Sequence, residues 1–386
     1  MIPTPGDAIG LTRLLVRVDS RNPGLVAGAP GEGDVARILA SVLEVWGFTV
    51  SLQQVMDGRP NVVARIGKTG GNGRSLMFNG HLDVVGVDGM THAPFEAETT
   101  NGKLFGRGAT DMKGGVASMC AAAWRAAQSG VGGEIIVAAV VDEEWQSAGT
   151  RCLIEQGVRA DACIVTEPTR LAIAPAHKGF TWTEVTFTGR AAHGSRYDVG
   201  IDAIRHAGLL LAELDRFERE ELVSHTHPLL GHASLHASDI SGGSGWSTYP
   251  DRCSLTVERR TVPGESPDDA VAEMSDVLAR VTKLSPAISG TVRHVFSQWP
   301  SDVAIDAPIV TALSAAMQAC GETVTMEGLS AWTDAALLNA AGIPAICYGP
   351  GDISLAHSAT EWVAEEEITR ATNVLERLAR EWCGTA

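Results

Sequence analysis

Two patterns of hydrophobic and polar positions alternate along the chain. Apolar residues at helical spacing over 34–47, ended by Gly47, predict a helix. Nearly continuous apolar runs at 133–141 and 163–165 predict strands that are buried on both faces. Because such strands alternate with helices, we expect an α/β fold with a mixed, mostly parallel sheet flanked by helices.

The pattern changes in the middle of the chain. Residues 181–188 (TWTEVTFT) alternate between apolar and polar side chains, as a half-exposed strand does. Helical and alternating segments then follow in the order of a small α+β domain of the ferredoxin-like type, after which the first pattern returns. We therefore predict a larger domain formed by 1–178 and 295–386, interrupted by a smaller inserted domain over 179–294.

Composition excludes several classes of protein. The 386 residues are 45% hydrophobic and 20% charged, as in ordinary globular proteins. The formal charge of −16 argues against a nucleic-acid partner, because phosphate binding needs clustered cations. We expect neither a membrane span nor a secretory signal, because no apolar run approaches ~18–20 residues and the N-terminal segment lacks a basic-then-apolar pattern. Seven scattered cysteines without CxxC pairs are typical of free thiols in the cytoplasm.

Acidic residues and histidines follow the predicted strands. In NGHLDVV, the i, i+2 spacing of His81 and Asp83 puts both side chains on one side, so that the Asp83 carboxylate can orient the His81 ring. The acids at 142–144 and Glu167 each follow a further strand. Taken alone, each feature has a simpler explanation, such as a structural histidine contact, a helix cap or a solvated loop.

Asp111 lies at the start of a predicted helix, and His357 follows another predicted strand. Together with three of the residues above they form a set of five possible metal ligands: His81, Asp111, Glu144, Glu167 and His357. Two imidazoles and three carboxylates suit Zn²⁺, Co²⁺ or Mn²⁺. Two metal ions about 3.5–4 Å apart can share one carboxylate and one water, which gives each ion one histidine and one further carboxylate. Glu143 is then free to act as a general base.

The segments NGHLDVV, GRGATDMKGG, VVDEE, TEPT and GPG…AHS together resemble the M20 family of metallopeptidases and amidohydrolases. The resemblance extends over nearly the whole chain. It implies a di-zinc catalytic domain interrupted by a lid or dimerisation domain. It also implies that Asp111 bridges the two ions, with His81 and Glu167 on one ion and Glu144 and His357 on the other.

The resemblance also covers the inserted domain. GRAAHGS is similar to the family segment whose histidine, here His193, stabilises the oxyanion, often in the partner subunit. Arg260 matches the arginine that pairs with a substrate carboxylate. Ser247 stands where many relatives have the longer Asn, and Tyr197 stands where many have Pro. The resemblance therefore implies a homodimer formed through this domain, and it leaves the substrate contact of Ser247 open.

The resulting expectation is a metal-dependent amidohydrolase that acts on an N-acyl amino acid or a related small carboxylate. Glu143 would be general base and then acid, Asp83 would orient a ligand, and two Zn²⁺ ions, or Co²⁺ or Mn²⁺, would be the cofactors. The resemblance also implies a preference for acyl removal, since deacylases and carboxypeptidases of the family carry Glu at the position of Glu167, whereas several di- and tripeptidases carry Asp. A dipeptidase or carboxypeptidase, a catabolic aryl-amide or amine hydrolase, and a non-catalytic binding module remain as alternatives.

Overall fold

The chain folds into two compact units. The structure is a computed structural model that describes residues 2–68, 70 and 73–384. Unit 1 consists of Met1–Pro175, Val303–Glu327 and Thr333–Ala386, and unit 2 consists of Ala176–Asp302 and Gly328–Trp332. Unit 2 is thus inserted into the sequence of unit 1, and the chain first passes between them near residue 175.

The elements are numbered in chain order. The helices are α1 (Ala8–Val16), α2 (Gly33–Val45), α3 (Gly114–Gln128), α4 (Ala148–Glu155), α5 (Ala203–Glu220), α6 (Pro267–Thr282), α7 (Pro308–Ala319), α8 (Ala335–Ala340) and α9 (Glu365–Cys383). The strands are β1 (Thr49–Met56), β2 (Arg59–Gly67), β3 (Leu76–His81), β4 (Thr99–Thr100), β5 (Lys103–Phe105), β6 (Glu134–Val140), β7 (Cys163–Val165), β8 (Ile173–His177), β9 (Gly179–Thr188), β10 (Thr226–His227), β11 (Gly231–His232), β12 (Ser234–Gly242), β13 (Arg252–Thr261), β14 (Ser289–Gln298), β15 (Ser301–Asp302), β16 (Met326–Leu329), β17 (Ala345–Cys347) and β18 (Trp362–Ala364). In the part of the chain that the structure describes, no helix is both long and apolar enough to cross a membrane.

Unit 1 is built on a mixed sheet with a parallel centre. Its strands are ordered β1-β2-β6-β3-β7-β17-β8. The four central strands β6, β3, β7 and β17 run parallel, whereas β1, β2 and β8 pair antiparallel with their neighbours. A second, three-stranded sheet has the order β18-β5-β4. The predicted α/β class, with a mixed sheet flanked by helices, is confirmed.

The central strands are buried on both faces, which explains their continuous apolar sequence. Leu76 and Phe78 of β3 belong to the same core as residues of α1, α2, α3, α7 and α9. Met77, which lies between them and points to the opposite face, is also fully buried. A Cβ atom at Gly115 would lie 2.0 Å from the carbonyl oxygen of Thr166, so glycine allows the start of α3 to lie against the end of β7.

Unit 2 has its own sheet and its own core. Its main elements follow the order β9-α5-β12-β13-α6-β14, and its antiparallel sheet has the order β12-β13-β9-β14. Val185 and Phe187 of β9 pack in a core with residues of α5 and α6. Phe180 and Trp182, which alternate with them on the other face, are half-buried. The use of this unit as a lid or dimerisation domain stays a prediction.

Candidate metal centre

The five predicted ligands belong to unit 1, and four of them lie at or after the carboxyl ends of its parallel strands. His81 ends β3, Glu144 and Glu167 follow β6 and β7, and His357 follows β17 after a short 3₁₀ turn at Ile353–Leu355. The carboxyl ends of neighbouring parallel strands lie at one edge of a sheet, where open α/β folds bind their ligands. The central sheet therefore gathers residues that are far apart in the sequence.

The fifth residue, Asp111, lies in a tight turn that leads into α3. The turn Ala109–Lys113 is π-helical, and Asp111 itself has extended backbone angles. The buried Glu361 carboxylate accepts the backbone N–H groups of Thr110 and Asp111 at 3.1 and 3.2 Å. Arg107 donates to the other Glu361 oxygen at 2.6 Å. A buried ion pair thus holds the main chain of Asp111 in place.

Two groups of side chains could each hold a metal ion, and they share Asp111. His81, Asp111 and Glu167 form the first group, and within each group the potential ligand atoms lie within 4.8 Å of one another. Asp111, Glu144 and His357 form the second group. His81 Nε2 lies 3.0 Å from Asp111 Oδ1, and His357 Nε2 lies 3.4 Å from Asp111 Oδ2. Each oxygen of Asp111 therefore faces a different histidine, as a bridging carboxylate requires.

The electrostatics of the site favour cations. Burial, together with the charge of Asp111, raises the pKa of both Glu144 and Glu167. Burial would lower the pKa of His357, but its contacts with Asp111 and Glu144 raise that pKa to about 11. Three acidic side chains with little exposure thus lie against the buried ring of His81 and the exposed ring of His357. This mixed set of nitrogen and oxygen donors, with its excess of negative charge, fits two divalent ions of the Zn²⁺, Co²⁺ or Mn²⁺ type.

Asp83 contacts His81 in a different way from the one predicted. The Nδ1–H group of His81 donates to the main-chain carbonyl oxygen of Asp83 at 2.9 Å, whereas the nearer carboxylate oxygen is 3.6 Å away. The carboxylate instead accepts the backbone N–H groups of Glu143 and Glu144 at 3.1 and 3.0 Å. The main chain of Asp83 therefore orients the His81 ring, and its side chain holds the next loop.

Glu143 lies beside the ligands without belonging to either group. Its side chain is buried, and its Oε2 atom is 4.0 Å from His81 Nε2. Burial raises the pKa of Glu143 well above its ordinary value, and the neighbouring acids Glu167, Asp334 and Glu144 add to this effect while His81 opposes it. A carboxyl group in these surroundings is suited to accept a proton and to return it.

Unit 2 contains the three residues predicted to bind substrate. The Nε–H group of Arg260 donates to Glu258 Oε1 at 2.6 Å, and the Trp182 indole N–H donates to the other Glu258 oxygen at 2.7 Å. His193 is exposed and forms a β-bridge with Thr248, while the Gly194 N–H group donates to the carbonyl oxygen of Ser247 at 2.7 Å. His193 and Ser247 are therefore neighbours, and Arg260 has a buried partner that orients it.

A third group of potential ligands, His225, Glu265 and Glu273, also lies in unit 2. Here the guanidinium group of Arg259 donates to Glu265 at 3.1 Å and to Glu273 at 3.0 Å. The two acids already have a cation between them, so this group is an ion-pair network of the protein itself.

Sequence reasoning missed two buried acids near the site. Asp334 accepts a hydrogen bond from the Thr150 hydroxyl at 2.6 Å, and burial raises its pKa to about 6. Asp334 directly precedes α8, a position typical of a helix cap, yet its side chain makes no capping hydrogen bond. Glu361 lies in a polar segment that carries no recognisable motif. Nothing local in the sequence distinguishes these acids from exposed ones.

Comparisons with known proteins identify the family of the chain. The sequence profile of peptidase family M20/M25/M40 matches residues 77–381. Acetylornithine deacetylase of Myxococcus xanthus is 31% identical over 351 residues, which cover 89% of this chain and 90% of that protein. N-formyl-4-amino-5-aminomethyl-2-methylpyrimidine deformylase of Bacillus subtilis is 30% identical over 376 residues, covering 89% and 88%. A Bacillus subtilis crystal structure, described as a dinuclear metal binding peptidase from the M20 family, shares the fold with a TM-score of 0.73, 20% identity and 96% coverage of each chain.

Proposed function

The chain belongs to peptidase family M20/M25/M40, and from this premise we propose that it is a two-metal amidohydrolase that deacylates an N-acyl amino acid or a related small carboxylate. The observation that carries the proposal is the pair of ligand groups that share Asp111, with Glu143 beside them. Two relatives that match most of the chain are named as a deacetylase and a deformylase, and both names describe removal of a small acyl group from nitrogen.

Two divalent ions complete the proposed site, and Zn²⁺ is our first choice, with Co²⁺ or Mn²⁺ as alternatives. The residues that would hold them are His81 and Glu167 for one ion, Glu144 and His357 for the other, and Asp111 for both. When bound, such ions polarise the amide carbonyl group and lower the pKa of water towards about 7.

In the proposed reaction, the residues of the chain move protons and hold the substrate. Glu143 takes a proton from the attacking water and later transfers it to the departing nitrogen, so that it ends the cycle as it began. Asp83 keeps Glu143 and the His81 ring in position through its main chain and its carboxylate. These roles need a buried carboxyl group that is not itself occupied as a ligand, which describes Glu143.

We further propose that unit 2 supplies substrate contacts. Arg260 pairs with Glu258 through Nε, and among the described residues no hydrogen bond uses its terminal nitrogens, so they are available for a substrate carboxylate. His193 would donate a hydrogen bond to the carbonyl oxygen as negative charge develops there. Ser247, the neighbour of His193, would contact the substrate with a short hydroxyl group.

A panel of substrates tests the proposal. Purified protein is incubated with N-acetyl and N-formyl amino acids and with dipeptides, before and after treatment with a chelator, and the release of acid and amine is measured. We expect hydrolysis of the N-acyl amino acids that stops on chelation and returns when Zn²⁺ is added. Faster hydrolysis of the dipeptides would instead indicate a dipeptidase, and metal-independent turnover would exclude the proposed chemistry.

We also propose that the protein is a homodimer formed through unit 2. Strand β12 is an edge strand that is mostly exposed, and it carries the half-exposed Ile240. An exposed edge with free backbone groups is suited to pairing with another chain. Sedimentation equilibrium should then give twice the monomer mass of 40.5 kDa, and the monomer mass would contradict the proposal.

A further inference from the structure

Three consecutive backbone amides of the acidic loop, residues 142–144, donate to two buried carboxylates. The Asp142 N–H group donates to Glu32 Oε1 at 2.9 Å. The N–H groups of Glu143 and Glu144 donate to the two oxygens of Asp83 at 3.1 and 3.0 Å. Glu32 and Asp83 are both fully buried. The loop that carries the proposed base and a proposed ligand is therefore held by its main chain.

The two carboxylates have buried partners of their own. Arg59 donates from Nε and Nη2 to the two oxygens of Glu32 at 2.5 and 2.7 Å, and from Nη2 to Asp142 Oδ1 at 3.1 Å. The amide of Asn22 donates to Asp83 at 2.8 Å and to the same oxygen of Asp142 at 3.1 Å. Buried carboxylates are costly unless they are paired and hydrogen-bonded. Arg59 and Asn22 thus give Glu32 and Asp83 buried hydrogen-bond partners in addition to the loop amides.

The loop needs such support for two reasons. Asp142 has a φ angle of 69°, a left-handed conformation that non-glycine residues seldom adopt without support from their surroundings. In addition, three adjacent acids repel one another in a buried position. Without the contacts to Glu32 and Asp83, the loop would relax to conformations in which Glu143 and Glu144 project elsewhere.

We propose that Arg59, with Glu32 and Asn22, positions the acidic loop and thereby sets where the side chains of Glu143 and Glu144 project. Arg59 lies on β2, Glu32 lies directly before α2, and Asn22 follows α1, so three separate elements of unit 1 converge on the loop. Arg59 acts through the loop and not on the substrate, which makes it a positioning residue. The expected effect on catalysis rests on the proposed roles of Glu143 and Glu144. The expected effect on the conformation of the loop does not depend on those roles.

The chain offers a matched control for a variant of Arg59. Arg65 lies on the same strand and forms an ion pair with Glu134 of β6 at 2.5 Å. Among the described residues, the Arg65 side chain pairs with Glu134 and not with the acidic loop. Arg59→Met and Arg65→Met therefore each remove one arginine of β2 that pairs with a carboxylate, and they differ in whether that pair supports residues 142–144.

Hydrogen–deuterium exchange of the metal-free protein tests the proposal without any need for activity. In Arg59→Met, we expect the amides of residues 142–144 to exchange at least about tenfold faster while those of β6 keep their rates. With metal restored, kcat should fall about 10- to 100-fold and KM should change much less, as for other residues that orient a ligand. Arg59→Lys, which keeps the charge but loses the paired contact, should lie in between, and Arg65→Met should match the wild type.

Two outcomes would overturn the proposal. One is unchanged exchange at residues 142–144 in Arg59→Met, and the other is an equal loss of kcat in Arg65→Met. If Arg59→Met does not fold, Asn22→Ala is measured in the same way, and slow exchange at Glu143 and Glu144 in that variant would also overturn it. Fast exchange in the variants, combined with a wild-type protein that cleaves no amide substrate, would refute the proposed function and leave the positioning of the loop intact.

Discussion

The two adjacent glutamates of the acidic loop have different surroundings. Glu144 belongs to a ligand group and lies 3.0 Å from His357 Nε2. Glu143 belongs to neither group and lies 4.0 Å from His81 Nε2. Since the backbone of both residues is held by the same Asp83 carboxylate, a substitution of either side chain leaves the loop in place. Metal binding and proton transfer can therefore be separated by single substitutions.

The first prediction concerns this separation. Glu143→Ala should keep nearly all of the metal content and lose about 10²- to 10⁴-fold in kcat, because proton transfer is lost while the ligands remain. Glu144→Ala should instead lose metal, because one group is left with two ligands. Metal analysis and steady-state kinetics on both variants measure the metal content and kcat separately. A Glu143→Ala enzyme with the kcat of the wild type would show that another residue is the base.

Arg260 leads to a second prediction. Glu258, which also accepts the Trp182 indole N–H, accepts the Nε–H group of Arg260 and so restricts its side chain, which lowers the entropic cost of binding a ligand through the terminal nitrogens. Arg260→Met should therefore raise KM about 10- to 100-fold for substrates with a free carboxylate, as expected for a charge-assisted contact. The KM for the corresponding methyl esters should rise much less.

Arg293→Met serves as the control, since Arg293 is an exposed residue of unit 2 that pairs with Glu184. An equal effect on acids and esters would contradict the assignment.

At the scale of single elements, the sequence predicts the strongly patterned segments and misses weakly patterned ones. The strands at 133–141 and 163–165 are found as β6 and β7 within one residue at each end. The alanine-rich residues 111–128 have a helical pattern, but α3 begins only at Gly114, because Ala109–Lys113 forms a turn around Asp111. An alanine-rich pattern cannot show where such a turn ends. Short helices such as α1 and α4 depend on tertiary packing for their stability and therefore carry little local signal.

Strand β8 supports a prediction about pH. It ends at His177, which is buried, donates from Nδ1 to the Lys178 carbonyl oxygen at 3.0 Å, and has no partner for Nε2 among the described residues. Burial lowers the pKa of His177 from 6.5 to about 4. Between these values the unfolded chain binds a proton that the folded protein does not, so the free energy of unfolding falls as the pH decreases from 6.5 to about 4.

The size of this effect can be measured. A shift of this extent corresponds to about 3 kcal/mol, which is lost progressively over that pH range. Urea unfolding of the wild type and of His177→Leu at several pH values should show a steeper acid dependence for the wild type. His294→Leu, which replaces an exposed histidine of the same unit, should retain the wild-type slope. Parallel slopes for the wild type and His177→Leu would contradict the prediction.

At the scale of the whole molecule, the ligands could be proposed from the sequence, and their supports could not. His81 and Glu167 follow apolar runs that are recognisable as strands, and the fold brings the ends of those strands together. Arg59, Glu32 and Glu361 have no such signal. Their importance comes from buried contacts between elements that are distant in the sequence, and these contacts exist only once the fold has formed.

The crowding of acids in unit 1 leads to the last prediction, which concerns the folded molecule as a whole. Because Asp111 and Glu167 are buried and the Glu144 side chain beside them is only 8% exposed, bound cations should stabilise the folded state relative to the unfolded chain, and their removal should lower the apparent melting temperature. Zn²⁺ at about 100 times its Kd would contribute about 2.7 kcal/mol for each site that binds only the folded protein. Calorimetry before and after chelation measures the change.

A variant that lacks the shared ligand separates this effect from a general action of the chelator. Asp111→Ala removes the residue common to both ligand groups, so its melting temperature should respond neither to chelation nor to added Zn²⁺. Asp111→Ala also loses the contacts of Asp111 with His81 and His357, so the response of each protein to Zn²⁺ is compared with its own metal-free form. An equal response of both proteins to Zn²⁺ would place the stabilising ion elsewhere, and no response of the wild type would contradict metal binding at these residues.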